Sequence, residues 1–161
     1  MLPDIPSWEG LHPLVVHFPV ALLVVAPALV ALGLVLRVHG RGLTIGAVVL
    51  MALGTAGAWV SSWTGDAAAE LARRGGPAVL QAIERHQTAA ENVRTVFTAL
   101  TVLFVALTWL PARLDRRVSP RARLGLTIVL LAAYGGALLL LVNAAHLGGL
   151  LVHEYGIRAE V

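Results

Sequence analysis

Apolar residues along this chain fall into four long stretches that contain no charged side chain. These uncharged runs comprise 23, 24, 18 and 30 residues and are Leu14–Leu36, Gly42–Gly65, Thr95–Ala112 and Leu124–His153. About 20 apolar residues in a helix cross a hydrocarbon core of about 30 Å. Runs of this length and continuity are untypical of barrel strands, and a helix satisfies its own backbone hydrogen bonds in lipid. The pattern predicts an all-α bundle of four transmembrane helices, at about 12–36, 42–63, 88–110 and 124–152.

A short polar segment separates the second and third predicted helices. The segment Thr64–Pro77 has the pattern of a short amphipathic helix, with Thr64 or Asp66 as its cap and Gly75-Gly76-Pro77 as its stop. A second short helix, Ala78–Arg85, is expected to lead into the third transmembrane helix. No repeat or second domain is visible, so residues 1–161 are predicted to form a single integral membrane domain.

Composition supports a lipid environment and excludes several kinds of site. The chain is 58% hydrophobic and 13% charged, whereas soluble proteins contain about 25% charged residues. Cysteine is absent, which excludes disulfides, iron–sulfur clusters and covalent c-type haem attachment. The net charge of +3 comes with arginines that lie mostly between the apolar runs. No basic patch with interleaved aromatic residues accompanies them, so we expect no nucleic-acid partner.

The arginines predict the orientation of the bundle. They concentrate in the loops after the first and third predicted helices, at Arg37, Arg41, Arg113, Arg116, Arg117, Arg121 and Arg123. Loops rich in basic residues stay in the cytoplasm. The opposite side receives both termini and eight of the nine acidic residues. Both termini are therefore predicted to be periplasmic.

Five of the six histidines fall at the predicted periplasmic end of the bundle: His12, His17, His86, His146 and His153. Ionisable groups within a membrane are costly and usually mark function. Imidazole is an axial ligand of haem iron, and the cores of helical bundles are common cofactor sites. This clustering favours a b-type haem held between histidines of different helices, an arrangement suited to electron transfer.

The predicted depths suggest how the histidines pair. His17 with His146 is the first pairing, and His86 with His12 or His153 could hold a second haem nearer the surface. Arg85 or Arg94 could bind the haem propionates through the guanidinium fork.

Two local patterns refine the positions of these histidines. On the fourth predicted helix, Asn143, His146, Leu150 and His153 follow steps of three, four and three residues and share one face. A polar stripe on a lipid-embedded helix is expected to turn inward. Pro19 lacks an amide donor and predicts a bend beside His17.

Two alternatives remain open at this point. His12, His17, His86 and His146 could instead bind a transition metal together with a carboxylate such as Glu70 or Glu91, although no HExxH spacing is present. The second alternative is a non-catalytic membrane subunit or assembly factor, which docks a partner through its acidic outer loops and binds no cofactor.

Four segments of the chain resemble a known family. Leu11–Leu22 (LHPLVVHFPVAL) is similar to the opening signature of the bacterial membrane-protein family called domain of unknown function 2231. The later segments that resemble the family, in order, are Trp63–Asp66 with Ala69-Glu70, His86–Glu91 and Ala145–Val152. The resemblance covers nearly the whole chain.

The resemblance implies a setting as well as a fold. Relatives are joined to Rieske or cytochrome c domains, which implies a protein of the bacterial inner membrane with a periplasmic redox partner of one of these types. Applied to the matching positions, it favours haem b or quinone binding by His12, His17, His86 and His146. The family usually ends near Tyr-Glu-His-Gly, whereas this chain has the order His-Glu-Tyr-Gly from His153, which weakens the case for His153 as a ligand.

The resulting hypothesis is a cytochrome b-like electron-transfer protein that exchanges electrons with quinol. It would act as a redox subunit of an oxidoreductase, within a homo- or hetero-oligomer.

Overall fold

The computed structural model describes residues 7–8, 10–36, 38–72, 75–113 and 119–157. These residues form five helices: α1 (His12–Val15), α2 (His17–Val35), α3 (Gly40–Ala72), α4 (Pro77–Arg113) and α5 (Pro120–His153). Four segments are long and apolar enough to cross a membrane, namely His12–Val35, Gly40–Glu70, Pro77–Trp109 and Pro120–His153. The predicted all-α architecture with four transmembrane helices is confirmed. Arg37, Arg73, Arg74, Arg116 and Arg117 lie outside the described residues, as does the side chain of Arg113.

The first span is interrupted at Val16, which separates α1 from α2. Pro19 has no N–H with which to bond the carbonyl of Val15. The next bond in the ladder is long, with 3.5 Å between the amide nitrogen of Val20 and the carbonyl oxygen of Val16. The irregularity expected from Pro19 therefore lies at Val16, less than one turn before Pro19 and next to His17.

The polar segment after the second span is helical, but it forms the last turns of α3 rather than a separate helix. Thr64 does not cap a new helix, because it is buried within α3 and its hydroxyl donates to the carbonyl of Val60 at 3.1 Å. The alanines that follow Asp66 have the highest helix propensity of any residue and prolong the helix. The helix stop predicted at Gly75-Gly76-Pro77 is confirmed, because α3 ends at Ala72 and α4 begins at Pro77.

The three long helices exceed the thickness of a bilayer. They contain 33, 37 and 34 residues and are about 50–55 Å long at 1.5 Å per residue. A hydrocarbon core of about 30 Å leaves several turns of each helix to tilt within it or to project beyond it. We call the end of the bundle that carries His12, the connection between Ala72 and Pro77, and His153 the histidine end.

One side of each long helix supplies the apolar core. Its buried residues recur at helical spacing and include Leu23 and Ala26 on α2, Met51 on α3, Phe97 on α4 and Tyr134 on α5. The small residues Ala137 and Ala144 are buried on the same face of α5 as Tyr134. Small residues at such contacts let helix backbones approach closely.

A hydrogen bond from α5 satisfies a main-chain carbonyl of α2 that has no partner within its own helix. Pro27 lies inside α2 and has no N–H to donate to the carbonyl of Leu23, four residues earlier. The hydroxyl of Tyr134 donates to that carbonyl oxygen at 2.9 Å. The Tyr134 ring also meets Phe97 edge-on, with 5.1 Å between ring centroids. Tyr134 therefore connects α2, α4 and α5 in the middle of the core.

Candidate functional site

Two histidine rings meet at the histidine end of the bundle. His12 begins α1, and His86 lies in α4, about two and a half turns after its start. Their ring centroids are 6.4 Å apart, and the ring planes are inclined at 78°. Both rings are half-buried, so the pair can be reached from outside the bundle.

A carbonyl of α3 determines which nitrogen of His12 carries hydrogen. The Nδ1–H of His12 donates to the main-chain oxygen of Ser61 at 2.9 Å, and the hydroxyl of Thr64 lies 3.2 Å from the same nitrogen. A carbonyl oxygen can only accept, so the hydrogen of the neutral ring is on Nδ1 and Nε2 carries the lone pair. A Cβ added at Gly65 would lie 2.9 Å from Cε1 of His12, which explains the need for glycine at this close approach.

His86 is held by α5 in the same way. Its Nδ1–H donates to the main-chain oxygen of Ala144 at 3.1 Å, which again leaves the lone pair on Nε2. A Cβ added at Gly148 would lie 3.0 Å from Cε1 of His86. All four spans therefore contribute to the pair: α1 and α4 carry the rings, and α3 and α5 hold them.

The arrangement is one that metal-bound histidines commonly adopt. Such histidines donate their second ring N–H to a carbonyl or carboxylate, which fixes the ring and raises the basicity of the ligating nitrogen. In addition, the hydroxyl oxygen of Ser61 is buried without a hydrogen-bond partner. Because buried polar atoms seldom lack a partner, a water molecule or an atom of a ligand is expected beside it.

Within the part of the chain that the structure describes, no group of three or more His, Asp or Glu side chains is placed to hold a metal ion. Asp66, the carboxylate one residue from Gly65, accepts a hydrogen bond from the side-chain amide of Gln87 at 3.0 Å. The protein groups that this site offers to a metal are therefore two imidazoles.

The other predicted ligands lie elsewhere. His17 is exposed on α2, and its Nδ1–H donates to the carbonyl of Pro13 at 2.6 Å, within the first span. His146 and His153 are exposed on α5. The remaining histidine, His39, was not a predicted ligand and is exposed at the opposite end. Among the described residues, the structure brings together the pair His12–His86 and not the pair His17–His146.

The polar stripe of α5 does not turn inward as expected. Asn143, His146 and His153 are exposed. The buried face of α5 is formed instead by Tyr134, Ala137, Leu141 and Ala144. Close packing through these alanines, continued where Gly148 meets His86, leaves the polar stripe on the flank of the helix.

The two predicted arginines occupy different environments. The guanidinium carbon of Arg94 lies 4.3 Å from the ring centroid of Trp59 on α3, a cation–π contact. The indole N–H of Trp59 donates to the hydroxyl of Thr98 at 3.2 Å. The Nε of Arg94 is buried without a hydrogen-bond partner, whereas Arg85 is exposed.

Sequence reasoning missed Ser61 as the group that holds His12. The group that acts is its carbonyl, which every residue possesses, so the sequence carries no signal for it. The neighbouring Trp63–Asp66 motif gave a partial signal, since it contains the glycine that contacts His12.

One family of known proteins matches almost the whole chain. No curated protein and no solved structure is significantly similar to it. Residues 9–160 match the family described as "Predicted membrane protein (DUF2231)". Since that match covers almost all of the 161 residues, the chain belongs to the DUF2231 family of predicted membrane proteins.

Proposed function

We propose that the chain is a membrane electron-transfer protein of cytochrome b type, in which His12 and His86 hold one b-type haem. The observation that carries this proposal is the paired arrangement of the two rings. Each donates its Nδ1–H to a main-chain carbonyl of a neighbouring helix, and each keeps its Nε2 lone pair for a metal.

The residues present fit the iron of a haem. The ring centroids of His12 and His86 lie 6.4 Å apart, and the two imidazoles would be the protein groups that hold the iron of a bound haem. A bound haem would supply one-electron redox chemistry.

The groups around the pair have separate roles in this proposal. The carbonyls of Ser61 and Ala144 orient the imidazoles and increase the basicity of Nε2. Arg94 lies two turns along α4 from His86, and its buried Nε lacks an acceptor. A haem propionate would satisfy this donor, so Arg94 is favoured over Arg85 as the propionate partner.

The proposal includes a direction for electron transfer. Of the described arginines, Arg41, Arg121 and Arg123 lie at the end opposite the histidines, and Arg85 and Arg94 lie in the first half of α4. Under the positive-inside rule, the histidine end would face the periplasm of a bacterial inner membrane. In this orientation the haem would pass electrons from quinol to a periplasmic acceptor of Rieske or cytochrome c type, the partner that the family resemblance implies.

A second candidate function has its own support. The bond from His12 to Ser61 joins α1 to α3, and the bond from His86 to Ala144 joins α4 to α5. The histidines could thus act only as clamps in a non-catalytic membrane subunit or assembly factor. In that case, the side chains would stabilise the bundle without binding a cofactor.

The absorption spectrum of protein purified from its native membrane tests the proposal. We expect a Soret band in the oxidised protein and sharpened α-bands after reduction with dithionite. His12→Ala and His86→Ala should lose these bands. The matched variants His17→Ala and His146→Ala should keep them, because both residues are exposed and lie outside the pair.

The alternatives give different results. Colourless protein that stays colourless after incubation with excess haem, with an unchanged circular dichroism spectrum, would refute the haem proposal and favour the clamp. Stoichiometric zinc, copper or iron without haem, lost in His12→Ala, would refute it in favour of a transition-metal site. Size-exclusion profiles of all four variants show whether each remains folded.

A further inference from the structure

A groove of about 520 Å³ opens between α4 and α5 towards the histidine end. It lies beside the histidine pair, because Asn143 and Leu147 line the groove while the next residues, Ala144 and Gly148, contact His86. Six polar side chains line it: Gln81, Glu84, Arg85, Thr88, Asn92 and Asn143.

These six side chains share two features. All are exposed, and none forms a hydrogen bond or ion pair with another of the described residues. In the core of the bundle, by contrast, the buried hydroxyls of Thr55 and Thr101 are hydrogen-bonded to each other at 2.9 Å. The groove therefore gathers unsatisfied donors and acceptors on the surface of a membrane-spanning unit.

The groove lies at the depth of lipid headgroups. Asn143 is 20 residues from Arg123 on α5, and Ala89 is 20 residues from Trp109 on α4. Each interval corresponds to about 30 Å of helix, the thickness of the hydrocarbon core. Arginine and tryptophan mark one boundary of that core, so two helices independently place the groove at the other.

We infer that this groove binds the headgroup of a zwitterionic phospholipid of the phosphatidylethanolamine type. Arg85 is suited to the phosphate, which a guanidinium binds through two parallel hydrogen bonds. Glu84, adjacent in the chain and lining the same groove, is suited to the primary ammonium group. A headgroup with one negative and one positive charge matches this pair of opposite charges.

The rest of the groove fits the remainder of such a lipid. The amides of Asn92 and Asn143 can donate to the ester oxygens of the glycerol backbone. Leu140 and Leu147 supply apolar walls along which an acyl chain can lie. A quinone ring, which carries no charge, would leave the pair Glu84–Arg85 unmatched. The inference does not depend on the presence of haem.

Lipid retention measured by native mass spectrometry tests the inference. The full chain in a neutral detergent is titrated with phosphatidylethanolamine, phosphatidylcholine or phosphatidylglycerol of identical acyl chains. We expect one lipid to bind, with phosphatidylethanolamine preferred, since phosphatidylcholine has no N–H donor and phosphatidylglycerol has no cation. Arg85→Gln should weaken binding of all three lipids roughly fivefold, the effect of about 1 kcal/mol per basic residue near a lipid surface.

Glu84→Gln should remove the preference for phosphatidylethanolamine and leave phosphatidylglycerol binding unchanged. Arg121→Gln and Glu154→Gln are the matched controls, because both residues are exposed on α5 or at its end and lie outside the groove. Equal affinity for the three lipids in the unmodified chain, or equal losses in the controls, would overturn the inference. So would a quinone that copurifies with the chain and is lost in Arg85→Gln.

Discussion

Tyr134→Phe tests whether a side chain of α5 stabilises the main-chain carbonyl of Leu23 that Pro27 leaves unbonded in α2. The substitution removes only the hydroxyl that donates to the carbonyl of Leu23 and keeps the ring that packs against Phe97. Leu23 is fully buried and Tyr134 is 3% exposed, so water cannot replace the lost donor. Since Pro27 offers no N–H, the carbonyl would be left without its partner.

The expected loss of stability follows from this burial. An unsatisfied buried acceptor costs about 1–3 kcal/mol in a water-soluble protein. Polar contacts between transmembrane helices average about 0.6 kcal/mol and reach about 1.7 kcal/mol. Because both groups are buried and the acceptor has no alternative partner within α2, we expect Tyr134→Phe to cost about 1–1.5 kcal/mol.

A double-mutant cycle with Pro27→Ala isolates the cause. The introduced alanine would restore an N–H that can donate to the Leu23 carbonyl, so Tyr134→Phe should cost less than half as much in that background. Unfolding is followed by circular dichroism in mixed micelles of dodecylmaltoside and increasing SDS. Tyr155→Phe, at an exposed tyrosine, is the control and should change nothing. An equal cost of Tyr134→Phe in both backgrounds would refute the reasoning.

Two further predictions concern packing between the helices. Thr101→Val should destabilise the bundle by about 1 kcal/mol in the same assay, because it leaves the buried hydroxyl of Thr55 without its partner; adding Thr55→Val should recover part of that loss, and strictly additive effects would contradict this account. Gly148→Ala should cost about 1–3 kcal/mol and weaken haem retention, because the new methyl would lie 3.0 Å from Cε1 of His86. Gly149→Ala, which meets nothing within 4 Å, should do neither, and identical behaviour of the two variants would contradict the packing described.

The transmembrane helices could be predicted because lipid imposes a simple rule on the sequence. A run such as Leu124–His153 must be apolar for its full length to cross a bilayer, and α5 covers it. Helix ends were less predictable, because helices can continue outside lipid. The alanines after Asp66 prolong α3 past its predicted end, and no residue there forces a stop before Gly75.

The site could be predicted only in part. The sequence indicates how far along a helix each histidine lies, and this was sufficient to group five of them at one end. It does not indicate the rotation of each helix about its axis, which close contacts at small residues such as Gly65 and Gly148 determine. For this reason the structure brings His86 against His12, while the exposed His17 and His146 remain outside the cluster.

Electron paramagnetic resonance of the oxidised protein in its native membrane tests the central claim most directly. Two imidazoles on one ferric haem give a low-spin signal, which we expect in the unmodified chain. The signal should disappear in His12→Gly and in His86→Gly, and free imidazole should restore it in both, because the cavity left by each ring remains. A low-spin signal that persists in both variants, or an unmodified protein that contains no ferric haem, would contradict the assignment of His12 and His86 as the ligand pair.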